Sequence, residues 1–427
     1  MCKNKIRKAS PPFFCLSEYG QKVDGMPEID IERNIEKYWD SFRRQLNDED
    51  AEKLDKLLEE IEEHFIDPTQ DTPVKAVDFA RWFDPESILD VLKTAYPYFK
   101  RVRSRLVPRM RFFAYFMISR KKNAWQAYHS LTEEEYMKLG FRNKPLYELL
   151  REFCYERIGI EEFPIVLSWV VKETDFLLRK KGIQLGKETF QDATPIRCLR
   201  GDPDAKYSGY YKHDGYKLDY TIDAQRSVPL EYIPMGITED EGKNLKVSQE
   251  HLTSLGMQEE IRVIDDKYAT FENIAYSELK GISLYYKIAS NWVYKEEGEQ
   301  GMIKQLYQKY HLCEDFIPGA DLDFMLRYLY KKEEYEAVGS HFRNMRMAEY
   351  EEHPEGYEEI CHQRGSHMEG NIGRVKLTTL LDDHPGRRGW KQFLLRAGMT
   401  ILALAFAALI RVQNGVFEHL TNITYIT

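Results

Sequence analysis

Residues 217–222 read Lys-Leu-Asp-Tyr-Thr-Ile, and residues 228–232 read Val-Pro-Leu-Glu-Tyr. In both stretches the large apolar side chains recur at every second position, which is the period of a β-strand. The Arg226-Ser227 pair between them predicts a short hairpin connection. This predicted hairpin lies in the part of the chain that decides the fold.

Working outward, helical and extended patterns alternate after the hairpin. A strand-like stretch ending near Asp192 also precedes it. The predicted elements after the hairpin are a helix at 245–255, a strand at 261–264, a helix at 271–279 and a strand at 282–288. This order predicts an α/β domain with a mixed sheet flanked by helices.

The rest of the chain divides by composition and pattern. The Asp84-Pro85-Glu86 stretch is typical of a helix start, because Asp caps a helix and Pro fits its first turn. We predict a basic tail at 1–27, an acidic helical segment at 28–72, an all-α region at 73–182, the α/β domain at 183–412 with a mainly helical insertion at about 291–355, and a C-terminal tail at 413–427.

Several classes of protein are excluded by what the sequence lacks. The six cysteines include no C-x-x-C pair, which argues against a disulfide scaffold or a zinc ribbon and favours free thiols in a reducing cytosol. No apolar signal segment follows the basic N-terminus. The apolar run 399–410 is shorter than the roughly 18–20 residues that span a bilayer, so we predict a buried core helix there. The absence of a phosphate-binding loop motif argues against ATP use.

The net charge of −9 argues against a protein with a basic surface throughout, but the acidic excess is local. Residues 28–71 hold 16 acidic and 6 basic residues, a net of −10, so the remaining chain sums to +1. We hypothesise that this acidic segment covers or tunes a basic DNA surface elsewhere in the chain.

Two basic clusters are candidates for that surface. Residues 100–122 hold nine basic residues, no acidic residue and several interleaved aromatic residues. Such a cluster neutralises phosphates and gives sequence-independent DNA affinity. The alternative is a solvated helix that pairs with the acidic segment. The predicted DNA-binding residues are Lys100, Arg101, Arg103, Arg105, Arg109 and Arg111 in this cluster, and Arg374, Lys376, Arg387 and Arg388 in a second one that also contains Lys391.

Three carboxylates are candidates for phosphodiester chemistry with two metal ions. This chemistry needs carboxylates from separate parts of the chain that converge on the ions. Asp192 follows a strand-like stretch, Asp265 ends the strand 261–264, and Glu369 lies on a predicted helix. Among 70 acidic residues, composition does not select these three, and each one alone is equally explained as a surface or capping acid.

From about residue 190 to 412, the chain resembles the DDE transposases of insertion sequences, whose catalytic domain is ribonuclease-H-like. Residues 215–230 resemble the family's second and third strands. The similar motifs are Asp192-Ala193-Thr194 for the first, Asp265-Asp266-Lys267-Tyr268 for the second, and Tyr357, Arg364, Glu369 and Lys376 for the third. Three features depart from the family pattern. In the second motif, Lys267 replaces the usual Gly, and Asp266 is a rival to Asp265 as the catalytic carboxylate. In the third motif, the intervals from Tyr357 to Arg364 and from Arg364 to Glu369 are longer than usual.

The resemblance implies an enzyme that binds transposon ends and catalyses DNA strand cleavage and strand transfer. Asp192, Asp265 and Glu369 would hold two Mg²⁺ ions, for which Mn²⁺ can substitute, while Lys376 and Arg364 would contact the DNA phosphate near the scissile bond. The implied partners are double-stranded DNA of the terminal inverted repeats and the target, and a second copy of the chain when two ends are paired. Neither ATP nor a membrane is implied, and the expected location is the cytoplasm, at the nucleoid. The alternatives are a ribonuclease-H-like DNA nuclease and an inactive, domesticated DNA-binding derivative.

Overall fold

The computed structural model describes residues 73–86, 88–89, 103–119, 121, 123–198, 201–288, 332–379, 389–423 and 426. All of them belong to one compact unit, Pro68–Thr427. The predicted basic tail at 1–27 and the acidic segment at 28–72 lie outside the described residues.

The described part of the region 73–182 is helical. Asp84 accepts a hydrogen bond from the Glu86 backbone N–H at 3.1 Å, so the predicted helix start is confirmed. Cys154 in this region, like Cys198 and Cys361 further on, is a free thiol. The helices are α1 Ala76–Arg81, α2 Arg103–Ile118, α3 Ala124–His129, α4 Glu133–Lys138, α5 Tyr147–Glu152 and α6 Phe163–Arg179.

Among the described residues, six strands form one mixed sheet, which confirms the predicted α/β class. They are β1 Glu188–Arg197, β2 Lys206–Ser208, β3 His213–Asp223, β4 Pro229–Gly236, β5 Ile261–Ile264 and β6 Ser283–Tyr286. The β3 strand runs antiparallel to β1, β2 and β4, whereas β1, β5 and β6 are parallel neighbours. The parallel half of the sheet therefore lies between β3 and the β6 edge.

Strands β3 and β4 pair as the predicted hairpin. Ser227 in the turn has φ 56°, and the Asp223 carboxylate accepts from the Arg226 backbone N–H at 2.7 Å. The alternating Leu218 and Tyr220 side chains join the apolar core, as predicted. The opposite face of β3 is also buried, although it is polar, so the strand is enclosed on both sides.

Helices cover both faces of the sheet. They are α7 Asn244–Ser254, α8 Phe271–Leu279, α9 Lys332–Glu352, α10 Pro354–Thr379 and α11 Trp390–Gln413. Gly339 on α9 lies against the Phe271 backbone, and Arg346 on α9 pairs with Glu278 on α8 at 2.9 Å. The described end of the predicted insertion is therefore part of the packed helical layer, while 289–331 lies outside the described residues.

Helix α11 joins the N-terminal helices to the sheet. The Phe406 ring packs edge-on against Phe83 and Phe113, with ring centroids 5.3 and 5.9 Å apart. The helix is long and apolar enough to cross a membrane, but 89% of its most apolar stretch is buried inside the fold. The predicted core helix is thus confirmed. The predicted tail at 413–427 is not a free tail, because Leu420 and Ile423 are fully buried.

Candidate active site

Asp192 and Asp265 lie at the same level of two parallel strands. The β1–β5 register pairs Phe190 with Val263, and each aspartate stands two residues further along its own strand direction. Asp265 follows the end of β5, but Asp192 lies within β1, five residues before its end, and not after a strand as predicted. The parallel register nevertheless brings together two carboxylates that are far apart in sequence.

A single guanidinium bridges the two carboxylates. In Arg364 on α10, Nη1 lies 2.9 Å from Asp192 Oδ2, and Nη2 lies 3.5 Å from Asp265 Oδ1. The side chains of Asp192, Asp265 and Arg364 are 27%, 35% and 18% exposed, so the cluster is sheltered but open to ligands. We call these three residues the Asp-Arg-Asp cluster.

The surroundings of Asp192 disfavour its charge. Burial raises the pKa of this carboxyl, the Arg364 charge opposes that rise, and the Asp265 charge adds to it. The Ala193 backbone N–H donates to Asp192 Oδ1 at 2.8 Å. Across the sheet, burial and the nearby Asp192 charge raise the pKa of Tyr220, whose buried hydroxyl has no hydrogen-bond partner among the described residues. The cluster therefore has an unsatisfied polar group beneath it.

Two contacts and one buried side chain hold α10 over this part of the sheet. The Tyr357 hydroxyl donates to the Tyr286 backbone carbonyl at 3.0 Å, Met368 is fully buried, and the His367 ring lies 5.6 Å from Phe190. Tyr357, Arg364 and Met368 are seven and four residues apart, so they share one face of the helix. Tyr357 thus anchors the helix that carries Arg364.

The third predicted carboxylate is described only in its backbone. Glu369, Arg374 and Lys376 all lie in α10, but their side chains lie outside the described residues, as do Arg387 and Arg388 entirely. Within the described ranges, no group of three or more His, Cys, Asp or Glu side chains forms a metal-ligating cluster. Of the two rivals for the second motif, Asp265 joins the cluster, whereas Asp266 is exposed.

The first basic cluster is only partly described, and its predicted DNA contacts stay a prediction. Lys100, Arg101 and the Arg103 side chain lie outside the described residues. Arg105 is exposed and Arg109 is half-buried, as a phosphate-binding surface requires, but Arg111 Nε donates to the Phe83 backbone carbonyl at 2.9 Å. The interleaved aromatic residues do not face solvent, because Phe112, Phe113 and Phe116 are fully buried in the core. Within its described residues, α2 exposes one side to solvent.

The second basic cluster has one fully described member. Lys391 is exposed, and its Nζ lies 3.8 Å from Glu161, a long contact between two solvated groups.

A buried polar network lies beneath the cluster, and the sequence did not lead us to predict it. Asp219 accepts from Gln191 Nε2 at 3.1 Å and from Asn244 Nδ2 at 2.8 Å, and Arg262 Nη1 donates to Gln191 Oε1 at 2.7 Å. Burial raises the pKa of Asp219 to about 7. The signal available in the sequence was the alternation of Lys217, Asp219 and Thr221, which places polar groups on the second face of a strand whose first face is apolar.

Two carboxylates from parallel strands contact one arginine in a partly open cluster. The adjacent Gln191 ties the network to the strand position of Asp192. No protein-family model and no curated protein match the sequence.

Proposed function

We propose that this protein is a metal-dependent DNA phosphoryl transferase of the DDE transposase type, with a ribonuclease-H-like catalytic domain. The observation that carries the proposal is the convergence of Asp192 and Asp265 on Arg364. Two of the three carboxylates that the family resemblance selects are thus neighbours in space. The mixed sheet supports the same interpretation, because the parallel register of β1 and β5 places the two aspartates side by side.

The donor set suits Mg²⁺. This ion is bound through one or two carboxylates together with water and substrate phosphates, so the Asp192 and Asp265 oxygens fit it without a preformed protein cage. One guanidinium contacts both carboxylates, so the two groups face the same position in the site. Asp192, Asp265 and Glu369 would hold the ions, which when bound activate the attacking oxygen and stabilise the leaving one.

The protein's own side chains have separate roles in this proposal. The buried network under β1 would hold Asp192 in a fixed position relative to Asp265. Phosphoryl transfer depends on rigid positioning of this kind. The planar guanidinium of Arg364 matches the geometry of a phosphate group, so it would bind the DNA backbone beside the two carboxylates. Arg105 and Arg109 on the exposed side of α2, with Lys376 and Arg374 on α10, would contribute sequence-independent phosphate contacts.

The decisive experiment is a cleavage and joining assay on the DNA that flanks the gene. Full-length protein with Mg²⁺ is incubated with a labelled duplex carrying the element's terminal inverted repeats, and with a target plasmid. We expect cutting at the repeat ends and transfer of the freed 3′-hydroxyl to the target. Asp192→Asn, Asp265→Asn and Glu369→Gln should each abolish both steps while the protein still binds DNA. The matched control is Asp266→Asn, which changes an exposed neighbour and should retain activity.

The alternatives give different results in the same assay. A ribonuclease-H-like nuclease would cut any duplex without preference for the repeat ends and would not join them. An inactive DNA-binding derivative would bind the ends and cut neither substrate. Full activity in all three carboxylate variants would exclude the assigned site. A terminal-repeat duplex should also bring two protein copies together, which light scattering of the complex measures.

A further inference from the structure

The turn between β2 and β3 presents aromatic rings to solvent. The side chains of Tyr210 in this turn and Tyr207 on β2 are 75% and 59% exposed. Their exposure leaves the ring faces accessible to a ligand. The turn itself is rigid, because Ser208 accepts from the backbone N–H groups of Tyr211 and Lys212 through its hydroxyl and its carbonyl, at 3.2 and 2.8 Å.

This turn lies beside the Asp-Arg-Asp cluster. Lys267 is the second residue after Asp265, and its Nζ lies 4.7 Å from the Tyr210 ring centroid and 5.8 Å from that of Tyr211. Strand β1 continues five residues beyond Asp192, to Arg197, which is about 16 Å of extended chain. Since β5 already ends at Ile264, the ribbon of β1, β3 and β2 extends past the level of Asp265.

The chemistry of the turn suits a nucleotide. The Lys267 ammonium lies over the Tyr210 ring, and the exposure of that ring leaves surface for a second partner. An aromatic face with an adjacent cation is the combination that binds a base by stacking and its phosphate by charge. The exposed Lys206 and Lys212 flank the rings and add positive charge. Stacking requires a base whose face is free, so the favoured ligand is an unpaired nucleotide.

We infer that the Tyr210-Lys267 platform, formed by these two side chains, binds an unpaired base of the DNA strand that passes the Asp192–Asp265 pair. This inference rests on the proposed function and names the part of the substrate that the ribbon holds. Tyr210 stacks on the base and Lys267 binds the neighbouring phosphate. The platform therefore selects DNA ends that are frayed or already cut over intact duplex.

The test compares three labelled duplexes by fluorescence anisotropy with the full-length protein and no metal. One has a five-thymidine 3′ overhang, one has an overhang of the same length made of abasic sites, and one is blunt and carries the same number of phosphates. We expect the thymidine overhang to bind about tenfold more tightly than the other two. Tyr210→Ala should reduce that preference to within about twofold, and Tyr210→Phe should retain it because the ring remains. A 2-aminopurine placed in the overhang should be quenched by the wild-type protein and not by Tyr210→Ala.

The matched control is Phe176→Ala. Phe176 is another exposed ring, 53% accessible, with the Lys180 Nζ 4.3 Å from its centroid, and it lies on α6. Its removal should leave the overhang preference unchanged. Equal loss in Phe176→Ala and Tyr210→Ala would overturn the inference, as would a preference that survives in Tyr210→Ala.

The results separate this inference from the proposed function. Overhang preference that depends on Tyr210, in a protein that never cleaves with Mg²⁺, would support the platform and contradict the transposase assignment. Cleavage that needs Asp192, with no effect of Tyr210→Ala on overhang preference, would do the reverse. A Tyr210→Ala protein that changes its mass in sedimentation but not its overhang preference would mark the turn as a protein contact and would overturn the inference.

Discussion

The guanidinium of Arg364 lies 2.9 Å from Asp192 and 3.5 Å from Asp265, so one side chain of α10 joins the middle of β1 to the end of β5. Asp192 and Arg364 are separated by 172 positions in the chain. Two sheltered carboxylates need a counter-charge, and Arg364 supplies it at the place where the proposed divalent ions would be held. Arginine and metal should therefore compete for the same oxygens.

Replacing Arg364 should strengthen metal binding. Arg364→Ala removes the competing cation, so we expect Mn²⁺ to bind about fivefold more tightly, the equivalent of about 1 kcal/mol for a partly sheltered ion pair. Isothermal titration with Mn²⁺ in the absence of DNA measures the affinity. Catalysis should nevertheless fall, because the phosphate contact is lost as well. Arg151→Ala removes an exposed arginine paired with Glu148 and should leave the Mn²⁺ affinity unchanged. Weaker Mn²⁺ binding in Arg364→Ala would show that the arginine assists the metal.

Asp219 should make the protein less stable as the pH rises. Its pKa is raised by burial from 3.8 to about 7, so in this window the folded protein keeps a proton that the unfolded chain has released. The free energy of unfolding should therefore fall between about pH 4 and 7 and level off above the folded pKa. The slope is at most about 1.4 kcal/mol per pH unit. Asp219→Asn cannot release the proton and should lose this part of the dependence.

Urea unfolding of the wild type and Asp219→Asn from pH 5 to 8.5 measures the effect. The other carboxyls with raised pKa, Asp192, Asp223 and Glu278, contribute slopes of the same sign to both proteins and cancel in the comparison. Parallel stability curves for the two proteins would mean that Asp219 does not carry the proton.

Gly339 should be required for the packing of α9 on α8. A Cβ atom built there would lie 2.0 Å from the Phe271 carbonyl oxygen, and backbone cannot move aside as a flexible side chain can. Gly339→Ala should destabilise the protein by about 3 kcal/mol, as overpacking in a core does. Gly356→Ala on α10 meets nothing within 4 Å and should stabilise the fold by about 0.5–1 kcal/mol through helix propensity. Thermal unfolding of both variants measures the contrast. A Gly339→Ala protein as stable as the wild type would show that α9 does not approach the Phe271 backbone this closely.

Two arginines of α2 should separate DNA binding from stability. Arg111 donates to the Phe83 carbonyl, so Arg111→Met should cost about 1–3 kcal/mol of unfolding free energy. Arg105 is exposed, so Arg105→Met should leave stability within about 0.5 kcal/mol. It should also reduce the slope of DNA affinity against salt concentration by the amount expected for the loss of about one phosphate contact. An unchanged salt slope in Arg105→Met would remove this side of α2 from the DNA surface.

Local pattern predicted the secondary structure around the site closely. The strand 261–264 and the helix 271–279 have the observed bounds, and the hairpin at Arg226-Ser227 joins β3 and β4. The helix start at Asp84 is likewise as predicted. These features depend on side-chain periodicity and capping, which neighbouring residues determine and which are therefore visible in the sequence.

Only the tertiary structure decided which side chains meet and which are removed from water. The sequence favoured Asp265 with Asp266 as a rival, and the fold places Asp265, not the exposed Asp266, in contact with Arg364. The aromatic residues of α2 looked available for nucleic acid, but Phe113 is enclosed by helices that are distant in sequence. The sequence by itself determined the main elements around the site, and its resemblance to a family named the candidate carboxylates. Their convergence, and the burial of Asp219 and Phe113, required the fold, because desolvation and charge pairing depend on neighbours that are close in space and remote along the chain.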